Sequence, residues 1–453
     1  MSMLSARSVF SRRRFTSSAG LMAGAAGLAA CGAPGSSGEA PKSTGQPVKV
    51  TFFSPASDNL GDQIMRDQSK QFNAKNKNIQ IDYVFTATDD NYKNYTTAMI
   101  SGSSPDIIMT YTYTPIPQWQ AKGLIRDLDQ YRKEMNIKQD DYFANVWQMI
   151  TFGGKLYGFL QEFDANLLVI VNESAQRAGL DVTKPPKTMD ELDTWNARLV
   201  KKEGGQLTQV GIVPWLHGGY DLWAGLFGGV YYDPATTKYT INRKENVDSL
   251  AWMQRTAKIF GTFDDIDAMH KAQSITNDAA FYTSRAALKQ AGEYAPIVWQ
   301  KDRPEVKYTI AFWPVAGSVT YGTGQTGGGN VIVLPKDAPH PKEAAAVMKW
   351  FAGPEMVWDW NVRENNLPPV KSVVNDPKFR EAAPLMGKWL DMLKIDKMKP
   401  VIASPLNSYF GSKRGEWATK AIKGEVSPQQ ALDELQKHMD EQVKLFEQTK
   451  IIP

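Results

Sequence analysis

The chain has 453 residues, of which 42% are hydrophobic and 22% are charged, with 52 Lys and Arg against 48 Asp and Glu. Residues 1–30 hold four arginines and no acid, so their removal would leave 48 basic and 48 acidic side chains. A formally neutral body offers no electrostatic case for binding nucleic acid. Its length exceeds what one hydrophobic core usually supports, which favours two domains.

The first 30 residues have the organisation of an export signal. Arginines precede an apolar run of small residues from Ala19 to Ala30, which is too short for a spanning helix and typical of a secretory signal. Ser11–Phe15 (SRRRF) resembles the twin-arginine export motif, which a receptor reads. Leu28–Cys31 resembles the bacterial lipobox, whose cysteine receives a diacylglycerol before cleavage on its N-terminal side. The sequence therefore predicts a signal peptide over residues 1–30.

Cys31 is the only cysteine of the chain, which excludes an intramolecular disulfide and a cysteine-based metal site. The alternative to lipidation is a chance cysteine in a linker. Residues 31–47 are rich in Gly, Ser, Pro and Thr and predict a flexible tether. We expect an exported protein on the outer face of the cytoplasmic membrane or in the periplasm, anchored through Cys31, with no cofactor.

The first elements of the folded body alternate between strand and helix, because apolar residues recur first at period two and then at helical spacing. These elements are strands over 48–53, 79–85 and 107–109, and helices over 60–72 and 92–100. The alternation predicts an α/β fold with a parallel sheet covered by helices on both faces. Ligands bind beyond the carboxyl ends of such strands. The loops to examine are therefore 54–59, 86–91 and 110–114.

Later segments continue this alternation. Strands are predicted over 156–159, 167–171, 210–213, 308–312 and 331–334, and helices over 189–201, 247–260, 342–351 and 428–446. Gly322–Gly329 is predicted as a glycine-rich loop between two strands. It is not a phosphate-binding loop, because the Lys-Ser/Thr pair and a following helix are missing from the sequence pattern.

A series of short motifs resembles one known family. The motifs are Pro105–Ile108 (PDII), Ala121–Leu128 (AKGLIRDL), Gly154–Phe159 (GKLYGF), Ala178–Leu180 (AGL) and Pro185–Leu192 (PPKTMDEL). In this order and spacing they resemble the extracellular solute-binding proteins of ABC importers, in the sugar-binding group that includes the maltose-binding protein. The resemblance runs from about Val48 to about Gln448. It departs from the family pattern at Leu160, where a proline is usual, and at Tyr294, where tryptophan is usual.

The resemblance implies a two-lobe periplasmic-binding-protein fold with the ligand cleft between the lobes, closed by a hinge. Three hinge crossings are expected, near Gln161–Asp164, Ile310–Pro314 and Ala352–Glu355. The N-terminal lobe would comprise residues 48–162 plus 311–352, and the C-terminal lobe 163–310 plus 353–453. The implied function is capture of a mono- or oligosaccharide by a monomeric lipoprotein, for delivery to an ABC permease with a cytoplasmic ATPase.

Sugar recognition needs flat aromatic faces over the ring and carboxylates or amides for the hydroxyl groups. The aromatic candidates follow strand ends, predicted crossings or family positions, and they are Tyr111, Tyr113, Trp215, Trp223, Tyr294, Trp313 and Tyr409. The polar candidates are Ser54, Asp89, Asp164 and Asn330. Asp164 leads this group because it lies at a predicted crossing. The alternative for each is ordinary packing or a turn. Four other tryptophans are predicted to lie in the core, namely Trp252, Trp299, Trp350 and Trp389.

Other functions find less support in the sequence. The chain has no G-x-S-x-G motif, and its four histidines form no H-E-x-x-H pair. A lipid-anchored glycoside hydrolase needs only two facing carboxylates and stays open as an alternative. Binding of a glycerol phosphate, a polyamine or a peptide also stays open. A phosphate ligand would favour clustered arginines. Arg363 is one candidate, but the sequence shows no arginine cluster.

Overall fold

The computed structural model describes residues 46–55, 60–87, 92–233, 236–317, 319, 325–394, 399–400 and 404–449. The predicted signal peptide, Cys31 and the loop that carries Asp89 lie outside the described residues. Among the helices in these ranges, none combines the length and the apolar character needed to cross a membrane.

The strands are β1 (Val48–Ser54), β2 (Ile79–Phe85), β3 (Ile107–Thr110), β4 (Thr151–Phe152), β5 (Lys155–Leu156), β6 (Phe159–Leu160), β7 (Asp164–Ala165), β8 (Leu167–Val171), β9 (Lys201–Glu203), β10 (Gln206–Gln209), β11 (Tyr232–Asp233), β12 (Lys238–Tyr239), β13 (Leu288–Ala291), β14 (Tyr308–Ala311), β15 (Gln325–Gly328), β16 (Val331–Val333) and β17 (Lys399–Pro400).

The helices are α1 (Leu60–Lys75), α2 (Lys93–Ile100), α3 (Ile116–Ala121), α4 (Arg132–Met135), α5 (Ala144–Ile150), α6 (Asn172–Arg177), α7 (Met189–Leu199), α8 (Gly219–Leu226), α9 (Lys244–Phe260), α10 (Phe263–Ala272), α11 (Asp278–Tyr282), α12 (Ala295–Asp302), α13 (Pro341–Ala352), α14 (Pro354–Glu364), α15 (Lys371–Val374), α16 (Pro377–Ala382), α17 (Gly387–Leu393), α18 (Asn407–Lys423) and α19 (Pro428–Thr449).

The first sheet has the strand order β2-β1-β3-β16-β6. The predicted parallel arrangement is confirmed for β1 with β2 and for β1 with β3. It is wrong for β16, which runs antiparallel to both of its neighbours. The start of β16 pairs with the end of β3, at Val331 and Thr110. β16 therefore begins beside the carboxyl ends of the parallel strands and runs in the opposite direction.

A continuous hydrophobic core surrounds this sheet and defines the first lobe. Its buried members run from Val50 to Leu167 and again from Val331 to Leu393. Within it Phe52 of β1 meets Phe351 of α13 edge to face, with ring centroids 5.2 Å apart. Burial of such large apolar side chains supplies most of the favourable free energy of folding.

A second lobe is built on the three-stranded sheet β13-β8-β14, in which both pairs are antiparallel. Its main core runs from Leu168 to Trp313 and from Leu406 to Met439, and α9, α18 and α19 pack against one another there. The predicted strand over 210–213 is wrong. The strand lies earlier, because β10 ends at Gln209 and pairs with β9. Val210 itself forms an isolated β-bridge with Ala286.

The four tryptophans predicted for the core pack as expected. Trp252, Trp299 and Trp389 are buried, and Trp350 is half-buried against the first core. Each ring therefore belongs to the interior of a lobe and not to a binding surface.

A small sheet of β7, β15 and β17 lies at the changes from one core to the other. β7 precedes the first change, β15 precedes the return to the first core, and β17 lies between Leu393 and Leu406, where the chain changes core for the third time. We call this β17-β15-β7 sheet the hinge sheet. It includes Gln325–Gly328, so the predicted glycine-rich loop is in part a strand.

The third change of core differs from the crossing expected near Ala352–Glu355. Helices α14 and α17 carry Trp360 and Trp389, which are buried in the first core, so the chain does not leave that lobe before Leu393. We propose that the first lobe comprises residues 48–167 plus 331–393 and that the second comprises the segments between and after them.

His217 ties the turn before α8 to the second lobe. Its side chain is buried, with Nδ1 3.1 Å from the N–H of Val213 and Nε2 3.1 Å from the carbonyl of Ile275. Burial lowers the pKa of His217 to about 4. The unfolded chain therefore binds an extra proton between about pH 6.5 and pH 4, and the stability that neutral His217 supplies is lost as the pH falls through that range.

We expect the free energy of unfolding of the wild type to fall, relative to that of His217→Asn, by about 3 kcal/mol between pH 7 and pH 4. Urea denaturation of both proteins at several pH values measures this difference. His438→Asn, in the half-buried histidine of α19, is the control and should follow the wild type. Parallel pH profiles for His217→Asn and the wild type would contradict the prediction.

Candidate functional site

Three carboxyl groups meet at the hinge sheet. Glu162 lies in the first lobe between β6 and β7, and Asp164 is the first residue of β7. Glu293 follows β13 of the second lobe. One carboxylate oxygen from each lies within 4.8 Å of the other two. We call Glu162, Asp164 and Glu293 the acidic triad. Both lobes and the hinge contribute to it, so its geometry depends on how the lobes are placed.

Backbone donors hold two members of the acidic triad. The N–H of Asn330 donates to Glu162 Oε1 at 2.7 Å, and the N–H of Ala165 donates to Glu293 Oε2 at 3.1 Å. Glu162 Oε2 is buried and accepts no hydrogen bond from the described residues, whereas the Glu293 carboxyl group also hydrogen-bonds to that of Asp164. Such an orphaned acceptor is rare in protein interiors. It marks the acidic triad as a place where a ligand group could be accepted.

Burial sets the protonation of the acidic triad. It raises the pKa of Glu162 and of Glu293 well above the ordinary value, and the neighbouring Asp164 charge raises both further. Burial also raises the pKa of Asp164 to about 6, against the opposing effect of its hydrogen bond with Glu293. Like charges this close disfavour each other's ionisation, so neutral pH does not leave all three carboxyl groups charged unless a positive group joins them.

Glycines make room for these side chains. At Gly328 of β15 an added Cβ would lie 1.9 Å from Asp164 Oδ2, and at Gly329, with φ 146°, it would lie 2.8 Å from the carbonyl oxygen of Glu162. The backbone contact and the positive φ require glycine at position 329, and at position 328 a side chain would have to push the Asp164 carboxyl group aside. The glycine-rich stretch therefore lets one hinge strand approach the acids of another.

Two tryptophans fix the backbone of the hinge from opposite lobes. Trp389 of α17 donates its indole N–H to the carbonyl of Ala165 at 2.6 Å, and Trp313 donates to the carbonyl of Asn166 at 2.8 Å. The ligand-stacking role predicted for Trp313 is wrong, because its ring is buried against Trp223, with centroids 5.3 Å apart. These indoles position the strand that carries Asp164.

Trp223 is also a core residue, which contradicts its predicted stacking role. It is fully buried, and its indole N–H donates to the carbonyls of Pro214 and His217, each at 2.8 Å. Its ring packs against Trp252 with centroids 4.8 Å apart. No face is left for a ligand.

Two of the predicted tyrosines keep exposed rings beside the acidic triad. Tyr294, 45% exposed, follows Glu293 directly, and burial followed by the charges of Asp164 and Glu293 raises its pKa. Tyr111, 38% exposed, follows β3, and its carbonyl accepts a hydrogen bond from the N–H of Gly329 at 3.3 Å. Both tyrosines therefore border the glycines and acids of the hinge sheet.

A second junction connects the lobes at the loop after β3. Tyr113 is buried there, and burial first and the Asp221 charge second raise its pKa. Asp221 of α8 forms an ion pair with Arg414 at 2.5 Å, and the guanidinium lies over Phe410 at 4.7 Å. Asp221 is thus held on α8 of the second lobe and faces the first.

The remaining predicted residues are spread over the molecule. Ser54 is buried at the end of β1, where its side chain bonds to Tyr83. Asn330 is buried, and its backbone serves Glu162 and Gln161. Trp215 stacks on Phe263 with centroids 5.5 Å apart, away from the hinge sheet. Tyr409 lies half-buried on α18, next to a small pocket between Thr114–Pro115 and Ser404–Ser408.

The sequence analysis missed Glu162, Glu293 and Asp221. Glu162 could have been found, because residues two apart on an extended segment share a side and Asp164 was already a candidate. Glu293 directly precedes the candidate Tyr294. Asp221 had no such signal, since its partner Arg414 is 193 residues away in the chain.

Comparison with known proteins agrees with this architecture. The family model of the bacterial extracellular solute-binding proteins matches residues 57–358. Among solved structures, the mannotriose complex of CpMnBP1 is 22% identical with a TM-score of 0.75, covering 86% of this chain and 99% of its own. The maltose-bound MalE3 of T. maritima is 19% identical with a TM-score of 0.67, covering 87% and 99%.

The sugar-binding protein MalE of Xanthomonas citri has the same fold at 18% identity, with a TM-score of 0.70 and coverage of 88% of this chain and 100% of its own. The two-lobe solute-binding fold predicted from the sequence is confirmed. The chain belongs to the bacterial extracellular solute-binding protein family, and membership implies export from the cytoplasm.

The close approach at Gly328 yields a direct test of the site geometry. We expect Gly328→Ala to lower the free energy of unfolding by about 1–3 kcal/mol, because its Cβ must displace Asp164 or move β15. Urea denaturation measures the loss. Gly411→Ala in α18 is the matched control, since a Cβ there meets no atom within 4 Å and alanine favours the helix. Equal stability of Gly328→Ala and the wild type would show that the hinge strands are further apart.

Proposed function

We propose that this protein captures a mono- or oligosaccharide between its lobes and delivers it to an ABC importer. The observation that carries the proposal is the pairing of two exposed tyrosine rings, Tyr111 and Tyr294, with the partly exposed carboxyl group of Asp164 at the hinge. Aromatic faces cover the C–H faces of a sugar ring, and carboxylates accept from its hydroxyl groups. Tagatose and maltose are the ligands of two proteins with this fold, which supports the same ligand class here.

The acidic triad couples binding to motion in this proposal. A ligand that touches residues of both lobes and of β7 binds the closed form better than the open form, and so it shifts the population towards closure. The partner would be a membrane permease with its cytoplasmic ATPase, which the family implies. We expect the protein to act as a monomer and to bind its ligand without turnover.

A second candidate, binding of a polyamine, is favoured by one observation. The acidic triad has a buried unpartnered oxygen, and an ammonium group would donate to it. A thermal-shift panel of mannotriose, maltose, tagatose, spermidine and glycerol 3-phosphate separates these ligand classes. We expect at least one of the three saccharides to raise the unfolding temperature. Stabilisation by spermidine alone would assign the site to the polyamine.

With the stabilising saccharide in hand, we expect Tyr294→Ala to weaken binding by about 1–3 kcal/mol, because truncation removes an aromatic contact face. Tyr294→Phe keeps the ring and should lose less. Calorimetric titration measures both affinities. Val298→Ala is the matched control, since Val298 is also exposed on the adjoining helix α12 but lies a turn away. Unchanged affinity in Tyr294→Ala would move the site away from this ring.

The lipid anchor is a proposal that rests on the sequence motif at Cys31. We expect the membrane fraction of the native host to contain a chain that begins at Cys31 with a diacylglyceryl group, because two acyl chains suffice for stable anchoring. Mass spectrometry of the N-terminal peptide detects the modification. Cys31→Ser should appear in the soluble exported fraction. An unmodified mature N-terminus at another residue would refute the anchor.

A further inference from the structure

The acidic triad lacks a positive partner in the part of the chain that the structure describes. Outside the triad, the nearby charge that also disfavours ionisation of Glu162 comes from another acid, Glu364. The neighbouring Tyr294 offers a hydroxyl group, and its own surroundings include Asp278. Among the ion pairs of the described residues, none joins a lysine, arginine or histidine to these three carboxyl groups. Burying several acids without a counter-charge is unfavourable.

A cation can neutralise these acids in place of the protons that burial favours. Glu162 and Glu293 each accept from a backbone N–H, and such donors stabilise the ionised form of a carboxyl group. Glu162 Oε2 stays buried without a partner, whereas Glu293 also hydrogen-bonds to Asp164. Since Glu162 is 3% exposed and Glu293 0% exposed, water reaches their carboxyl groups poorly. A bound cation would satisfy Glu162 Oε2 and balance the charge.

The spacing and the donor type select the class of cation. The three ligand oxygens lie within 4.8 Å of one another, close enough for one cation to draw them into contact by small side-chain movements, and Ca²⁺ accepts such flexible carboxylate geometry at about 2.3–2.6 Å. Mg²⁺ requires shorter contacts in near-ideal octahedral geometry, and Zn²⁺ prefers nitrogen and sulfur ligands. The carboxyl set is therefore best suited to Ca²⁺.

We propose that a calcium ion binds between Glu162, Asp164 and Glu293 and bridges the two lobes at the hinge. Asp164 is half-exposed, which provides the route from solvent. Glu162 belongs to the first lobe and Glu293 to the second, so the complete ligand set exists only when the lobes are placed as described. The ion therefore stabilises this arrangement of the lobes. This binding needs no saccharide and goes beyond the proposed function.

The test uses the purified exported chain, freed of divalent ions with a chelator and titrated with CaCl₂ in the absence of sugar. We expect one Ca²⁺ per chain by native mass spectrometry and a calorimetric dissociation constant of about 10⁻³ M or tighter, the range of extracellular calcium modules. Thermal unfolding should shift upwards with CaCl₂. MgCl₂ at the same concentration should give a smaller shift.

Variants locate the ion. Glu293→Gln and Asp164→Asn keep the size of each side chain and should weaken Ca²⁺ binding at least about tenfold, as the loss of one charged ligand implies. Glu434→Gln, in an exposed acid of α19, is the matched control and should bind as the wild type does. Circular dichroism verifies that each variant is folded, and Glu162→Gln replaces any variant that is not.

Absence of Ca²⁺ binding by the wild type at about 10 mM, well above the range of extracellular sites, would overturn the proposal. Full Ca²⁺ binding by the folded triad variants would also overturn it. Binding of spermidine without Ca²⁺ would replace the metal with an organic cation. The saccharide panel is a separate measurement, so failure of calcium binding and failure of sugar binding are distinguishable.

Discussion

The close approach of three acids at the hinge, two of them buried, is the constraint on which the rest of this structure depends. Glu162, Asp164 and Glu293 lie together where another segment comes unusually close, with Gly328 at the end of β15 and Gly329 directly after it. They can stay buried only if backbone N–H groups meet them, and Asn330 and Ala165 supply those donors. The polar interior of the hinge thus explains its glycine content and its backbone geometry.

The two lobes give this polar hinge its rigidity by apolar means. Trp389 from the first core and Trp313 from the second each donate an indole hydrogen bond to adjacent carbonyls of the same segment. Large rings buried in each core hold the strand between them, while their N–H groups satisfy backbone acceptors that would otherwise be orphaned. Stability of the cores and precision of the candidate site therefore come from the same side chains.

The sequence predicted the fold well where local periodicity decides it, as in β1, α1 and β2, and the ordered motifs predicted the family. Asp164 was placed at the hinge because it lies beside a predicted crossing. Trp223 and Trp313 were assigned to the ligand wrongly, because a sequence does not reveal whether an indole N–H has an acceptor inside the core. The third change of core was misplaced for a related reason. The sequence of α14 shows that one face of the helix is apolar and buried. It does not show which of the two cores that face packs against.

The hinge sheet has a consequence for how the lobes can move. β7, β15 and β17 pair side by side, so the three connections between lobes are not independent tethers. Hydrogen-bonded neighbours twist together, so the pairing couples the rotations of the three connections about the shared sheet. A change in the torsion of any one connection is then transmitted to the other two, and sideways slippage of one lobe along the other is resisted by the ladder itself.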